Sequence, residues 1–332
     1  MLNQNLKLNT KIFNESVEKK STRQGFGEGL LQAGINDEKV VGLCADLLES
    51  VKMNLFEEKF PNRYVEVGIA EQNIVSVASG MASMGKVPFV ASYAIFNPGR
   101  NWEQIRTTIC YNNQNVKIIG SHAGLSVGPD GGSHQMLEDI ALTRVLPNMV
   151  VISPCDAIES KKATISLAKT NNPTYLRCAR NDTPIITTEE TPFEIGKAQI
   201  VWVPENGLAS VGIIATGPVL YNALMAAKEL EKEGIKIKVM NLSTIKPLDK
   251  EAIIILAKET KRIVTVEDHQ VTGGMGSAVA ECLGEFYPTK IEFVGVKDQF
   301  GQSGSPEELA KHYKIDTESI IEKIIKKKNE LI

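Results

Sequence analysis

Short apolar runs rich in β-branched residues recur along the chain, each followed by a stretch of helical period. This alternation predicts an α/β protein whose parallel strands are buried on both faces. Residues 40–44, 87–91, 116–120 and 149–152 read as strands. From Glu71 onwards, Ile74, Val77, Ala78, Met81 and Met84 fall close to a 3.6 period, an amphipathic helix ended by Gly85. The texture breaks over residues 181–192, where Thr, Pro and acidic residues gather, and this segment reads as an interdomain linker. A second alternation follows. It predicts strands at 211–215, 237–240 and 263–266 and a helix over 221–232. Gly273-Gly274-Met275-Gly276 opens a further helix, and 318–328 reads as a charged amphipathic tail helix. The expectation is a parallel-sheet domain over 1–185, a linker over 186–195 and a smaller α/β domain over 196–332.

A chain of 332 residues suits two domains of ordinary size. With 37 basic and 40 acidic residues the formal net charge is -3, which gives no electrostatic footprint for nucleic acid. No apolar stretch approaches the roughly 18–20 residues that span a bilayer. Residues 1–22 lack the apolar core of a secretion signal. The five cysteines are scattered without a CxxC pair, and they read as free thiols of a cytoplasmic protein.

Three constellations carry chemical potential. In Gly68-Ile69-Ala70-Glu71-Gln72-Asn73 a carboxylate opens an apolar helix. Such a residue complements the helix dipole. Flanked by Ile69, Ala70 and Ile74, it is also expected to be desolvated, which suits it to hold or relay a proton. The stretch from Ser121 to Gln135 holds four glycines, a proline, His122, Asp130 and His134. It follows a predicted strand, so it belongs at the carboxyl edge of the sheet, where open α/β proteins bind ligands. Its spacing suits hydrogen bonding to a polyol or phosphate better than a metal. Arg23, Ser50, Arg100 and Arg180 lie near other predicted strand ends and together form a candidate clamp for an anionic substrate. A fourth stretch, residues 264–270 with Gly273-Gly274-Met275-Gly276, reads as a tight strand-to-helix turn rather than a phosphate cradle. There is no GxxxxGK[ST] motif.

Taken in order, these motifs resemble the transketolase family. The stretches that carry the resemblance are residues 63–73, Ala91-Ser92-Tyr93-Ala94-Ile95-Phe96 and Gly128-Pro129-Asp130-Gly131-Gly132-Ser133-His134-Gln135, with Cys155-Asp156 and residues 267–276. The resemblance covers nearly the whole chain and implies a pyrimidine-binding domain followed by the family's C-terminal domain. It implies that Glu71 hydrogen-bonds the aminopyrimidine of thiamine diphosphate, that Phe96 stacks on that ring with Tyr93 beside it, and that Leu47, next to Asp46, props the cofactor. It further implies that Arg23, Ser50, His122 and Arg180 hold a sugar phosphate. Asp130 would read a substrate hydroxyl, and His134 would meet the donor near the reacting carbons, with Glu71, His122 and His134 the catalytic set. The segment Asn97-Pro98-Gly99-Arg100 departs from the family pattern. The GDG triplet of the family's diphosphate and magnesium domain is absent from the sequence. The resemblance therefore implies a split transketolase: a second chain supplies the Mg2+ ligands, none of them on this chain, and two copies of each chain assemble. The alternatives are a deoxyxylulose-phosphate-synthase-like enzyme, the β subunit of a 2-oxo-acid dehydrogenase, and a non-catalytic subunit that kept the fold.

Overall fold

The computed structural model describes residues 1–326. Among the described residues, fourteen strands run in chain order. They are β1 (Lys19–Lys20), β2 (Val40–Cys44), β3 (Tyr64–Glu66), β4 (Val87–Tyr93), β5 (Lys117–Ser121), β6 (Val150–Ile152) and β7 (Thr174–Arg177). The rest are β8 (Thr183–Pro184), β9 (Gln199–Trp202), β10 (Val211–Ala215), β11 (Ile237–Asn241), β12 (Thr244–Lys246), β13 (Arg262–Gln270) and β14 (Lys290–Val296). Seven of them form one sheet in the order β12-β6-β7-β5-β4-β2-β3, parallel except for β12. Five form a second sheet in the order β14-β13-β10-β11-β9, parallel except for β9. β1 and β8 make a small antiparallel pair. The expected α/β class with two parallel sheets is observed. Strands β2, β5, β7 and β10 are buried along their whole length, as sheets covered on both faces require.

The helix expected from Glu71 spans Glu71–Ser83, and its chain reversal passes through Gly85 at φ 83. Ile74 and Ala78 face the core, but Met84 lies past the last turn and is exposed. The later helices run over Leu220–Lys232, Met275–Phe286 and Thr317–Lys326. Lys327 and Lys328 of the expected tail helix lie outside the described residues.

Two segments cross between the sheets. β12 leaves the second alternation and pairs antiparallel with β6, at the edge of the first sheet. The amino-terminal residues pack on the second sheet: the Asn3 amide donates to Val201 O at 3.0 Å, and Leu8 and Ile12 are buried with Trp202 and Leu224. Residues 186–191, read from composition as linker, are held tightly. The Asp156 carboxylate accepts from the amides of Ile186 and Thr187 and from the Thr187 hydroxyl at 2.6–2.9 Å. One apolar cluster runs continuously from Leu43 and Ile118 under the first sheet to Ile214 and Met240 under the second. Among the described residues no helix is long and apolar enough to cross a membrane.

Candidate functional site

Strands β7, β5, β4, β2 and β3 are adjacent and parallel, so their carboxyl ends share one edge. The expected site residues follow those ends. β2 leads to Asp46, Leu47 and Ser50, and β3 to Gly68 and Glu71. β4 ends in Tyr93 with Phe96 three residues on, β5 leads to His122, and β7 to Arg180. Sequence order separates these groups by up to 157 residues between Arg23 and Arg180, yet the Arg23 Nε donates to Arg180 O at 3.0 Å.

Glu71 is 2% exposed. Of the flanking residues expected to bury it, Ile74 is buried but Ile69 is 77% exposed. β4 and the loop after it complete the enclosure. Ser92 Oγ donates to Glu71 Oε1 at 3.0 Å, and Asn101 Nδ2 donates to the Glu71 carbonyl at 2.8 Å. Asn97 in turn accepts from Asn101 at 3.0 Å and ties the loop to the carbonyls of Val90 and Ile119. Glu71 Oε2 is buried without a hydrogen-bond partner, and the Arg100 Nη1 stands 3.5 Å from it. The Arg100 guanidinium lies 4.6 Å above the Phe96 ring. Arg100, expected in the anion clamp, is directed instead to Glu71 and Phe96. The Asn-Pro-Gly-Arg-Asn loop turns it toward the start of the Glu71 helix.

The aromatic groups assemble around β4. Register places Tyr93 opposite Ser121, and the Tyr93 and His122 rings stack at 3.8 Å. The His134 ring is nearly perpendicular to the rings of Phe96 and Tyr93, with centroids 5.8 and 6.5 Å away. Its Nδ1 lies 3.0 Å from Ser133 Oγ. His122 is 2% exposed and takes a left-handed backbone at φ 57. Burial, with Arg23, Arg180 and His134 nearby, holds its pKa down to about 3, so the ring is neutral near pH 7. Its Nε2 faces Arg23 Nη1 at 3.5 Å and its Nδ1 faces Ser121 Oγ at 2.9 Å. Arginine only donates, so Nε2 is the acceptor and Nδ1 carries the proton.

The remaining candidates form a cationic rim. Arg23 Nη1 donates to Ser50 O at 2.7 Å, and Arg180 Nη1 donates to Val127 O at 2.6 Å and meets Asp130 at 3.3 Å. Arg23 is held at the start of its helix by Thr22, whose hydroxyl accepts from the Ala179 amide at 2.7 Å. Burial and the neighbouring Arg180 both lower the pKa of Arg23. Two guanidinium groups forced together in this way gain from a nearby anion. Asp46 is exposed, and its amide shares Glu66 Oε1 with the amide of Gly68, both at 2.8 Å. Glu66 thus couples the turn holding Asp46 and Leu47 to the turn before Glu71. Leu47 packs at the margin of the core cluster that Tyr93 also borders. Sequence reasoning passed over Glu66, Ser92, Asn97 and Asn101. The only trace of the last two was the unusual loop after Phe96.

The other motifs are occupied internally. The amides of Met275 and Gly276 donate to the Glu267 carboxyl group at 2.7 and 2.9 Å, so the glycine turn is filled by the chain's own side chain, as the tight-turn reading holds. All five cysteines are free and buried, and burial pushes the thiols of Cys44 and Cys110 up to about 11. They are poor nucleophiles.

An edge that offers a buried carboxylate oxygen without a hydrogen bond, beside an aromatic face, is suited to a flat heteroaromatic cofactor. Residues 18–185 match the family model of the transketolase pyrimidine binding domain, and residues 202–320 match that of the transketolase C-terminal domain. A Methanocaldococcus jannaschii protein assigned as a transketolase C-terminal section is 43% identical, over 92% of this chain and 96% of its own length. The 6-deoxy-6-sulfo-D-fructose transketolase subunit SqwH of a Clostridium species is 36% identical, over 93% of this chain and 95% of its own. A split-gene transketolase solved as an inactive beta4 tetramer superposes with a TM-score of 0.85 at 40% identity, covering 92% of this chain and 97% of that one. The chain belongs to the transketolase family, as the section that carries its pyrimidine-binding and C-terminal domains. Its activity is of the transketolase type, and thiamine diphosphate is the cofactor the family implies.

Proposed function

We propose that this chain is the pyrimidine-binding subunit of a split transketolase that moves a two-carbon ketol unit from a ketose phosphate to an aldose acceptor. In this reading a second chain supplies the diphosphate and Mg2+ ligands, and two copies of each assemble in the cytoplasm. The observation that carries the reading is the buried Glu71 Oε2 without a hydrogen bond, beside the Phe96 ring. Thiamine diphosphate, when bound, supplies the nucleophilic carbon and the electron sink for breaking a bond next to a carbonyl.

The chain's own residues bind and orient. Glu71 Oε2 would hold the proton shared with a ring nitrogen once Arg100 withdraws from it, while Ser92 keeps the other oxygen fixed. Phe96 and Tyr93 give the ring its face, and Leu47 and Asp46 border it from the turn after β2. Arg100 must give way from Phe96 for a ring to stack there. Arg23 and Arg180 take the phosphate, with Ser50 beside them. Neutral His122 and Asp130 accept from substrate hydroxyls, and His134 stands nearest the aromatic pair, where the reacting carbons belong. The domain division at 185 and 196 is part of the same reading, with the crossing segments lacing the two units together.

The reading has support in its relatives. The split-gene structure formed of beta chains is described as inactive, which agrees with a site that one kind of chain does not complete. The test is to mix this chain with a candidate partner bearing a GDG motif and assay ketol transfer. Glu71→Gln should lower turnover by orders of magnitude while leaving assembly intact, and equal turnover in that variant would sink the assignment.

A further inference from the structure

We infer that the second domain positions the loop from His122 to His134, and that Asp268 is its principal positioning residue. The inference rests on the reading of that loop as substrate-binding. It assigns the second domain a part in the chemistry beyond association between chains.

The argument starts at the end of β13, where three consecutive residues each take a backbone group of the first domain. Asp268 accepts the Leu125 amide with both carboxylate oxygens, at 3.0 and 3.1 Å. His269 Nε2 accepts the Ile140 amide at 3.1 Å. The Gln270 amide donates to Leu137 O at 2.9 Å. The strand end therefore grips both the start of the loop and the helix that follows it.

The grip is itself rigid. The carbonyl of Asp268 accepts from Arg177 Nη2 at 2.8 Å, and Arg177 Nε is paired with buried Asp139 at 2.8 Å. Gln270 pins the next loop of the second domain, donating to Gln299 O at 2.7 Å and accepting from the Asp298 amide at 3.0 Å. That loop holds the far end of the His122–His134 segment, because Gln135 Nε2 donates to Gln302 O at 3.0 Å. Tyr313 steadies it from behind, its hydroxyl donating to Phe300 O at 2.7 Å.

The approach is close enough to require glycine on each side. A Cβ on Gly124 would stand 2.1 Å from Asp268 Oδ2, and one on Gly301 would stand 1.8 Å from Gln135 Oε1. Gly124 also has φ 77, a conformation that side chains disfavour. Asp268 touches no proposed substrate position. It acts through Leu125, three residues after His122 and five before Asp130.

The test uses hydrogen exchange on the full chain and kinetics on the reconstituted two-chain enzyme. In Asp268→Ala the Leu125 amide loses its acceptor, and exchange over residues 123–135 should rise roughly five- to thirty-fold. Asp268→Asn keeps one acceptor oxygen and should restore most of the protection. In the enzyme, Asp268→Ala should raise KM for the phosphorylated ketose about tenfold while the thiamine diphosphate Kd stays the same. A residue that only stabilised the fold would shift both or neither. Gln135→Ala removes no buried charge and serves where Asp268→Ala fails to fold, with the same expected exchange at the loop's far end. Unchanged loop exchange in either folded variant overturns the inference, as does a KM rise matched by equal loss of cofactor binding. If the wild-type pair shows no ketol transfer, the functional reading fails, and the exchange result alone decides whether the second domain holds the loop.

Discussion

At the carboxyl edge of the seven-stranded sheet, Glu71 opens a helix with one oxygen on Ser92 and the other buried without a hydrogen bond. At the carboxyl edge of the five-stranded sheet, Glu267 faces the start of a helix with both oxygens taken by the amides of Met275 and Gly276. The two carboxyl groups both lie beside the start of a helix, Glu71 as its first residue and Glu267 on the strand before it, and both are buried. Glu267 is a finished piece of architecture: burial pushes its pKa up to about 8 even against its two amide bonds. Glu71 is unfinished, and in a native structure a buried polar atom left open marks a place for something else. The histidines differ in surroundings rather than in satisfaction. His269 has its two nitrogens on the Ile140 amide and the Gln270 carbonyl, whereas His122, facing Ser121 and Arg23, lies among rings and guanidinium groups of the candidate site.

The sharpest way to break this contrast is to replace each of the two carboxyl groups with an amide. Glu71→Gln in the two-chain enzyme should lower kcat by about 10²–10⁴-fold, the range for a lost proton-transfer group, with the urea midpoint nearly unchanged. Glu267→Gln should do the reverse. One helix amide then faces an amide donor, which costs about 1–3 kcal/mol in urea unfolding, and activity per folded molecule stays the same. A finding that both variants lose activity equally would erase the distinction.

The arginines allow a second, smaller contrast. Arg180→Met should raise KM for a phosphorylated donor by roughly 10–100-fold, since charge-assisted bonds contribute about 1.5–3 kcal/mol. Arg144→Met, which removes the pair with exposed Glu281 in the second region, should leave KM alone.

The smallest effect is on the pH dependence of stability. Burial lowers the pKa of His122 to about 3 and of His269 to about 4, so the unfolded chain binds more protons below its own value of about 6.5. Their contribution is present above that value and is lost as pH falls from about 6.5 to about 4 for His269 and to about 3 for His122. Glu267 runs the other way, because its folded pKa is raised: its neutral form favours folding at low pH, and that contribution is lost as pH rises towards about 8. Replacing His122 with Gln should flatten the acid limb by about 1 kcal/mol per pH unit, read from urea midpoints between pH 6.5 and 4. No change in slope would mean that His122 is not buried as a neutral ring.

The periodicity of short runs made much of the fold legible: β2 and β10 fall on residues 40–44 and 211–215, as the pattern predicts. What it missed is short or depends on distant partners. β7 is four residues long and follows Asn-Asn-Pro, so it carries no strand signal of its own. β12 is three residues and belongs to the other sheet. The Thr-rich segment after β8 has the composition of a linker, and nothing local reveals that Asp156, about 30 residues earlier, holds it. The candidate site was legible as types and positions after strand ends, because parallel topology brings those ends together. The direction of Arg100 was not, since it is set by the Asn97 and Asn101 bonds across three segments. Nor was the role of Asp268, whose partner Leu125 is 143 residues away.

The central claim, that this chain holds half of a cofactor site, is tested most directly by calorimetric titration. Thiamine diphosphate and magnesium are titrated into this chain alone, and then into its mixture with a partner carrying a GDG motif. The account predicts tight, magnesium-dependent binding only in the mixture, abolished or strongly weakened by Glu71→Gln. Tight magnesium-dependent binding by this chain alone would contradict it, because the diphosphate site would then lie within these 332 residues.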